Sequence, residues 1–356
     1  MTSLSSTHDE QYQDNILQGV SRTFALTIPQ LPEALRRVIG NAYLLCRITD
    51  TIEDDSALTL EQTKELTHMF SDVVCGKTPA EAFAQKLYPL LSNHTIPAEH
   101  DLIKNTPSVI RITHSFNPIQ RSALERCVRI MGQGMYHYQE TESLSGLKDL
   151  SEMNQYCYYV AGVVGEMLTE LFCDYSEQIH QHKDVLMPLS VSFGQGLQMT
   201  NILKDIWDDR QRGACWLPQD IFLKHGFDLA QLQPGLPDER FQEGLAELLG
   251  IARNHLHNAL VYTCLIPPQE KGIRRFCLWA IGMAVLTLNK INHHRDFSQG
   301  KQVKISRNSV KATVIVTSAL ASQDWALKLL FRLTASNLPR IEPNNDFLPK
   351  NQIRNE

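Results

Sequence analysis

The chain has 356 residues, 43% of them hydrophobic, with a formal net charge of −5 and an isoelectric point near 6.2. That is enough apolar material for a full core, and the mild acidity gives no support for nucleic-acid binding. The eight cysteines are scattered without zinc-ligand spacing, as free thiols in a reducing compartment would be. There is no secretory apolar region at the N-terminus, and no apolar run reaches the ~18 residues of a membrane span.

Read in chain order, residues 1–14 are polar and predict a flexible tail, 15–340 one helical domain, and 341–356 a second flexible tail. Helices are predicted over 33–54, 59–75, 79–91, 118–140, 149–174, 183–209, 238–263, 268–295 and 308–336. Prolines such as Pro32, Pro118, Pro218, Pro237 and Pro268 fall between or at the starts of these segments, where they are tolerated. No stretch alternates with period 2, so the fold class is all-α, without a linker.

Within helix 33–54, Leu35, Val38, Ile39, Ala42, Leu45, Cys46 and Thr49 form an apolar stripe. Tyr43, Arg47, Asp50, Glu53 and Asp54 run along its border. Asp50, Glu53 and Asp54 stand at i, i+3 and i+4, on one helix face. The same Asp-x-x-(Glu/Asp)-Asp signature returns as Asp205, Asp208 and Asp209. Each triplet alone could be a solvated helix face. A fold that brought two of them together would need a cation between them. Magnesium suits, because it prefers oxygen and bridges a few carboxylates to substrate phosphates. In the second helix Gln198, Asn201, Asp205 and Asp208 step by 3, 4 and 3, which predicts a buried polar ridge in need of a ligand. Arg47 and Lys204 stand beside the two triplets, where a diphosphate would also want positive charge.

Other segments carry weaker signals. Gly162 and Gly165, with Ala161, make a bald patch in YCYYVAGVVG. It permits either a close helix crossing or room for a long hydrocarbon, with Tyr156 and Tyr159 at its edge. Ser21 and Arg22 are candidate phosphate contacts in a segment that could equally be a solvated loop. Lys301, Lys304 and Arg307 form a basic cluster, by itself usually a solvated turn. The stretch 325–338 reads as a packed terminal helix rather than a membrane-surface one.

Five ordered segments, SRTFALTIPQLP, YLLCRITDTIEDD, YCYYVAGVVG, TNILKDIWDD with RGACWLP behind it, and VKIS, resemble the squalene/phytoene synthase family over about residues 15–320. YCYYVAGVVG and Trp207 look more like its squalene synthase branch. The absence of that branch's eukaryotic C-terminal anchor looks bacterial. The resemblance implies an isoprenoid synthase fold around a central cavity. It implies head-to-head condensation of two farnesyl diphosphates to presqualene diphosphate and NADPH-dependent reduction to squalene. The alternatives are a non-reductive dehydrosqualene or phytoene-type synthase, or a presqualene diphosphate synthase.

By the same resemblance, Asp50, Glu53, Asp54, Asp205, Asp208 and Asp209 bind Mg2+. Tyr43, Arg47 and Tyr156 join Asp50, Asp54, Asp205 and Asp209 in catalysis. Ser21, Arg22, Phe24, Arg47, Gly162, Gln198, Asn201 and Phe276 contact substrate. Asn201, Lys204, Lys304 and Arg307 hold NADPH. Two departures stand out: Lys204 replaces the family's usual Arg, which loses a bidentate fork, and Arg307 is displaced by one residue from its expected place. A monomer is expected, cytoplasmic, with weak peripheral contact at the inner face of a membrane.

Overall fold

The computed structural model describes residues 2–21, 23–236 and 238–341. Among these no β-strand forms, and one isolated bridge joins Leu147 to Pro218. The main helices are α1 (Thr2–Val20), α2 (Glu33–Asp54), α3 (Leu60–Val74), α4 (Ala80–Leu87), α5 (Pro97–Lys104), α6 (Thr106–His114), α7 (Pro118–Glu140) and α8 (Leu150–Cys157). A π-helical turn, Tyr158–Gly162, leads into α9 (Val163–Tyr175). Then come α10 (Lys183–Gln211), α11 (Gln219–Lys224), α12 (Glu239–Leu265), α13 (Lys271–His293), α14 (Arg307–Leu320) and α15 (Asp324–Thr334).

The chain divides into two compact units: Met1–Glu140 with Met167–His180, and Thr141–Glu166 with Gln181–Glu356. One boundary of the division, between Glu166 and Met167, falls inside α9, and the others fall in the turns after Glu140 and His180. In the first unit α2 is buried around most of its circumference. Leu44, Leu45, Ile48 and Ile52 are inaccessible, as are Val73 and Phe83 of α3 and α4. A helix buried on so many sides can leave only a narrow polar border, and the first acidic triplet lies along it. In the second unit α10 packs mainly on α12, and α13 packs on both.

The expected flexible stretch over 1–14 is a correction: from Thr2 onward it belongs to α1. Arg111 grips buried Asp9 through two hydrogen bonds of 2.7 and 2.8 Å, and Gln13 donates to the Arg37 carbonyl at 2.9 Å. Polar composition hid a helix whose polar residues are paired and whose Ile16, Leu17 and Val20 are buried. Residues 342–356 of the expected C-terminal tail lie outside the described residues. Helices α5 and α6, with proline in their first turns, were not expected; at eight and nine residues they depend on tertiary packing rather than on periodicity.

The helix expected over 308–336 is two helices, for a reason visible at Arg274. Its guanidinium is fully buried and donates to the carbonyls of Thr263, Cys264 and Ala321 while pairing with Asp324. It thus satisfies orphan acceptors at the end of α12 and in the break after α14, and holds the first residue of α15.

Candidate active site

In the first unit, Tyr43, Arg47 and Asp50 stand on successive turns of α2. The Tyr43 hydroxyl donates to the Val20 carbonyl at 2.9 Å, and its ring lies 5.0 Å from that of Phe24. Ser21 Oγ accepts from the Phe24 N–H at 2.9 Å. Burial raises the Tyr43 hydroxyl pKa above its ordinary value, while Ser21 and Arg47 offset this in part. Ser21, Phe24, Tyr43 and Arg47 are therefore brought together, whereas Arg22 lies outside the described residues.

Arg47 reaches Glu99 of α5 at 2.5 Å and stands 3.8 Å from Asp50. Its Nε is buried without a hydrogen-bond partner, a donor left over where an anion could approach. Burial pushes the Asp50 carboxyl up to about 7; Arg47 opposes the rise, and Asp54 and Glu99 add to it. Glu53 is half-buried and Asp54 exposed. Asp55 is a clip for the following loop, accepting from the N–H groups of Ala57 (2.9 Å) and Ser92 (2.8 Å) and from Thr95 Oγ1 (2.6 Å). Burial acts against its ionisation, but those hydrogen bonds outweigh it and hold the carboxyl below its usual value.

In the second unit, Lys204 Nζ lies 3.1 Å from Asp205 and 3.4 Å from Asn201 Oδ1. The expected buried ridge is a correction. Gln198 and Asp205 are half-buried, and Asn201 and Asp208 are exposed. Several unpaired polar groups in a dry core would be too costly, so the ridge faces outward and stays accessible. The buried member of the triplet is Asp209, 2.5 Å from Arg212. Burial pushes its carboxyl up to about 6, against the pull of Arg212 and with the push of Asp205 and Asp208.

A short 3-10 turn, Gly300–Val303, sits over this triplet. A Cβ at Gly300 would stand 3.2 Å from the Lys204 carbonyl, 3.3 Å from Asp208 Oδ2 and 3.6 Å from Asp205 Oδ1. A side chain here would crowd the Lys204 carbonyl and Asp208, so glycine leaves this backbone its close approach to the carboxylates. Lys304 and Arg307, just beyond, are exposed, and Lys290 donates to the Lys304 carbonyl at 3.0 Å. Trp207 is a packing residue whose indole donates to the Phe297 carbonyl at 2.6 Å.

Tyr156 is buried and stacks on Trp216, with ring centroids 4.3 Å apart and planes 7° off parallel. Trp216 lies in the RGACWLP segment, but nothing in the spacing marked it as a ring partner. Phe276 is buried in α13. The glycines answer the question the sequence left open. A Cβ on Gly165 would strike the Ser190 backbone, one on Gly194 the Ala161 backbone, and one on Gly162 would meet Tyr158 at 3.0 Å and Val191 at 3.3 Å. The bald patch is filled by the crossing of α10, which leaves Gly162 a packing role.

Among the described residues no three His, Cys, Asp or Glu side chains converge as a ready-made metal cage. The donor set still fits magnesium, which takes one or two carboxylates and fills its remaining positions with water and phosphate oxygens. Burial disfavours the charged forms of Asp50 and Asp209, and a divalent cation bound beside them would favour those forms.

The fold is that of the isoprenoid synthases. A ligand complex of TcSQS superposes with a TM-score of 0.73 at 22% identity, covering 95% of this chain and 94% of that one. A ligand-bound dehydrosqualene synthase superposes with a TM-score of 0.65 at 21% identity, covering 88% and 96%. The family model described as squalene/phytoene synthase matches residues 17–309, and the chain belongs to that family. It is similar to the squalene synthase of Gibberella zeae, 28% identical over 306 residues, and to that of Schizosaccharomyces pombe, 28% identical over 352. These matches cover 85% and 94% of this chain but 63% and 72% of those proteins.

Proposed function

We propose that the chain joins two farnesyl diphosphates head to head into presqualene diphosphate and reduces it with NADPH to squalene. The observation that carries this reading is that each unit bears its own acidic triplet with one carboxyl, Asp50 or Asp209, pushed toward neutrality by burial, and with a cation, Arg47 or Lys204, close to that triplet. The similarity to the fungal squalene synthases supports it.

Mg2+ ions held by Asp50, Glu53 and Asp54 of the first unit and by Asp205, Asp208 and Asp209 of the second would neutralise diphosphate as it leaves. Arg47, with its unsatisfied Nε, would hold phosphate oxygens alongside. The rings of Phe24, Tyr43, Tyr156 and Phe276 would keep water from an allylic cation and stabilise its charge. The Tyr43 hydroxyl, which now donates to the Val20 carbonyl, would turn to orient a leaving group, and Tyr156 would join the aromatic wall. NADPH would supply hydride, its phosphates met by Lys304 and Arg307, with Asn201 and Lys204 nearby along α10.

The test is incubation of the pure protein with farnesyl diphosphate and magnesium, with and without NADPH, followed by lipid analysis. Squalene that depends on NADPH, and presqualene diphosphate without it, is the expected outcome. The same hydrocarbon in both arms replaces this reading with dehydrosqualene-type synthesis. Presqualene diphosphate in both arms limits the enzyme to the first half-reaction.

A further inference from the structure

The last two described helices turn apolar side chains toward solvent. On α15, Ala326, Leu327 and Phe331 are buried, as a packed terminal helix requires. The opposite face repeats Trp325, Leu329 and Leu333 at i, i+4 and i+8, and these are 69%, 45% and 64% exposed. One helix earlier, Ile315 and Val316 of α14 are 69% and 41% exposed. Isolated exposed leucines are ordinary, but a Trp-Leu-Leu ridge along one short helix is not. The expectation that 325–338 is simply a packed helix therefore accounts for only one of its two faces.

The charge around the ridge is equally one-sided. Residues 301–341 hold seven Lys or Arg and a single acid, Asp324, inside a chain of net charge −5. Asp324 is already engaged by Arg274. Lys328 and Arg332 are exposed beside the ridge and Lys311 is exposed on α14, with no acidic partner among the described residues. Long basic side chains can lay their stems along an apolar surface and reach past it with their charge. Tryptophan favours a boundary where one side is apolar and the other wet.

We propose that the outer face of α15, with α14 beside it in sequence, is a docking surface for an anionic lipid bilayer. The helix would lie in the plane of the interface, with Trp325, Leu329 and Leu333 among the acyl chains and Lys328 and Arg332 at the headgroups. A second copy of the chain is the less suitable occupant. A two-fold contact through this ridge would bring unpaired Lys328 and Arg332 against their own copies. The assignment rests on exposure and charge and is independent of the chemistry proposed above.

The experiment is co-sedimentation of the full chain with extruded vesicles, of phosphatidylcholine alone and of phosphatidylcholine with phosphatidylglycerol. Binding to the anionic vesicles alone, weakened by salt, is expected. Lys328→Gln and Arg332→Gln should each weaken it about fivefold. A triple Ser variant at Trp325, Leu329 and Leu333 should abolish it, with an unchanged thermal melt because the replaced side chains are exposed. Brominated lipid should quench tryptophan fluorescence in the wild type but not in Trp325→Phe. Equal pelleting of the triple variant, or no pelleting of the wild type, overturns the proposal. So does a concentration-dependent dimer that the triple variant dissolves without any vesicle binding.

Discussion

Arg47 is bound more closely to Glu99 than to Asp50: its guanidinium is 2.5 Å from the first carboxylate and 3.8 Å from the second. Glu99 thereby fixes the cation beside the acidic row without neutralising the row itself. Glu99→Gln should free Arg47 to collapse onto Asp50. We expect diphosphate release to fall about tenfold, the scale of one charge-assisted hydrogen bond. Glu99→Asp should recover part of it. Steady-state release of diphosphate checks this, and an unchanged rate in Glu99→Gln assigns the pair to structure alone.

Asp50 makes the metal-free protein sensitive to pH. Its folded-state pKa of about 7 lies above the ordinary 3.8. Its protonated form therefore contributes stability that is complete below about pH 4 and is lost as pH rises through 7. Asp50→Asn should flatten that part of the melt-versus-pH curve and raise the melting temperature at pH 8 in chelator. The same substitution should cut diphosphate release at least about a hundredfold, because a ligand charge is gone. Wild-type turnover in chelator contradicts the metal reading.

His255 sets the acid limit of the second unit. Its ring is buried beside Ser192 Oγ at 2.8 Å, and burial lowers its pKa from 6.5 to about 4. The neutral form is the one that fits, so its contribution is present above pH 6.5 and lost as pH falls toward 4. The loss is on the order of 3 kcal/mol. Chemical denaturation between pH 4 and 7 should show this slope, and His255→Asn should remove it.

The helix crossing gives a graded test. Gly165→Ala should cost about 3 kcal/mol or more, since a Cβ there meets the Ser190 backbone, which cannot rotate away. Gly162→Ala should cost less, because its neighbours are the Tyr158 and Val191 side chains. Denaturant midpoints measure both. Normal stability with altered chain-length selectivity in both variants restores the hydrocarbon-room reading.

What was legible in the sequence followed from spacing. The stripe of α2 and the triplets at i, i+3, i+4 could be read because helix geometry alone puts those residues on one face. Glu99, Lys290 and Trp216 were not legible, since each meets its partner across 14 to 60 residues and belongs to no local pattern. The buried ridge was misread for a related reason: periodicity shows which residues share a face, not what that face looks onto. Helix α1 stayed hidden because Asp9 and Gln13 count as polar in a composition but are buried and paired in the fold.

The reductive half-reaction gives the last prediction. The turn Gly300–Val303 rests on α10 beside Asp205 and Asp208, and the segment after it carries exposed Lys304 and Arg307, with Lys290 tied to the Lys304 carbonyl. A nucleotide bound here without a glycine-rich phosphate loop would depend on those cations. Lys304→Ala and Arg307→Ala should raise the KM for NADPH about tenfold and leave presqualene diphosphate formation nearly unchanged. Lys290→Ala should do the same more weakly, because it acts by holding the Lys304 backbone. Gly300→Ala differs in kind: its Cβ crowds the Lys204 carbonyl and Asp208, so it should impair both half-reactions. Measuring presqualene diphosphate and squalene separately in all four variants distinguishes the two patterns. Equal loss of both products in Lys304→Ala would remove this segment from the reductant site.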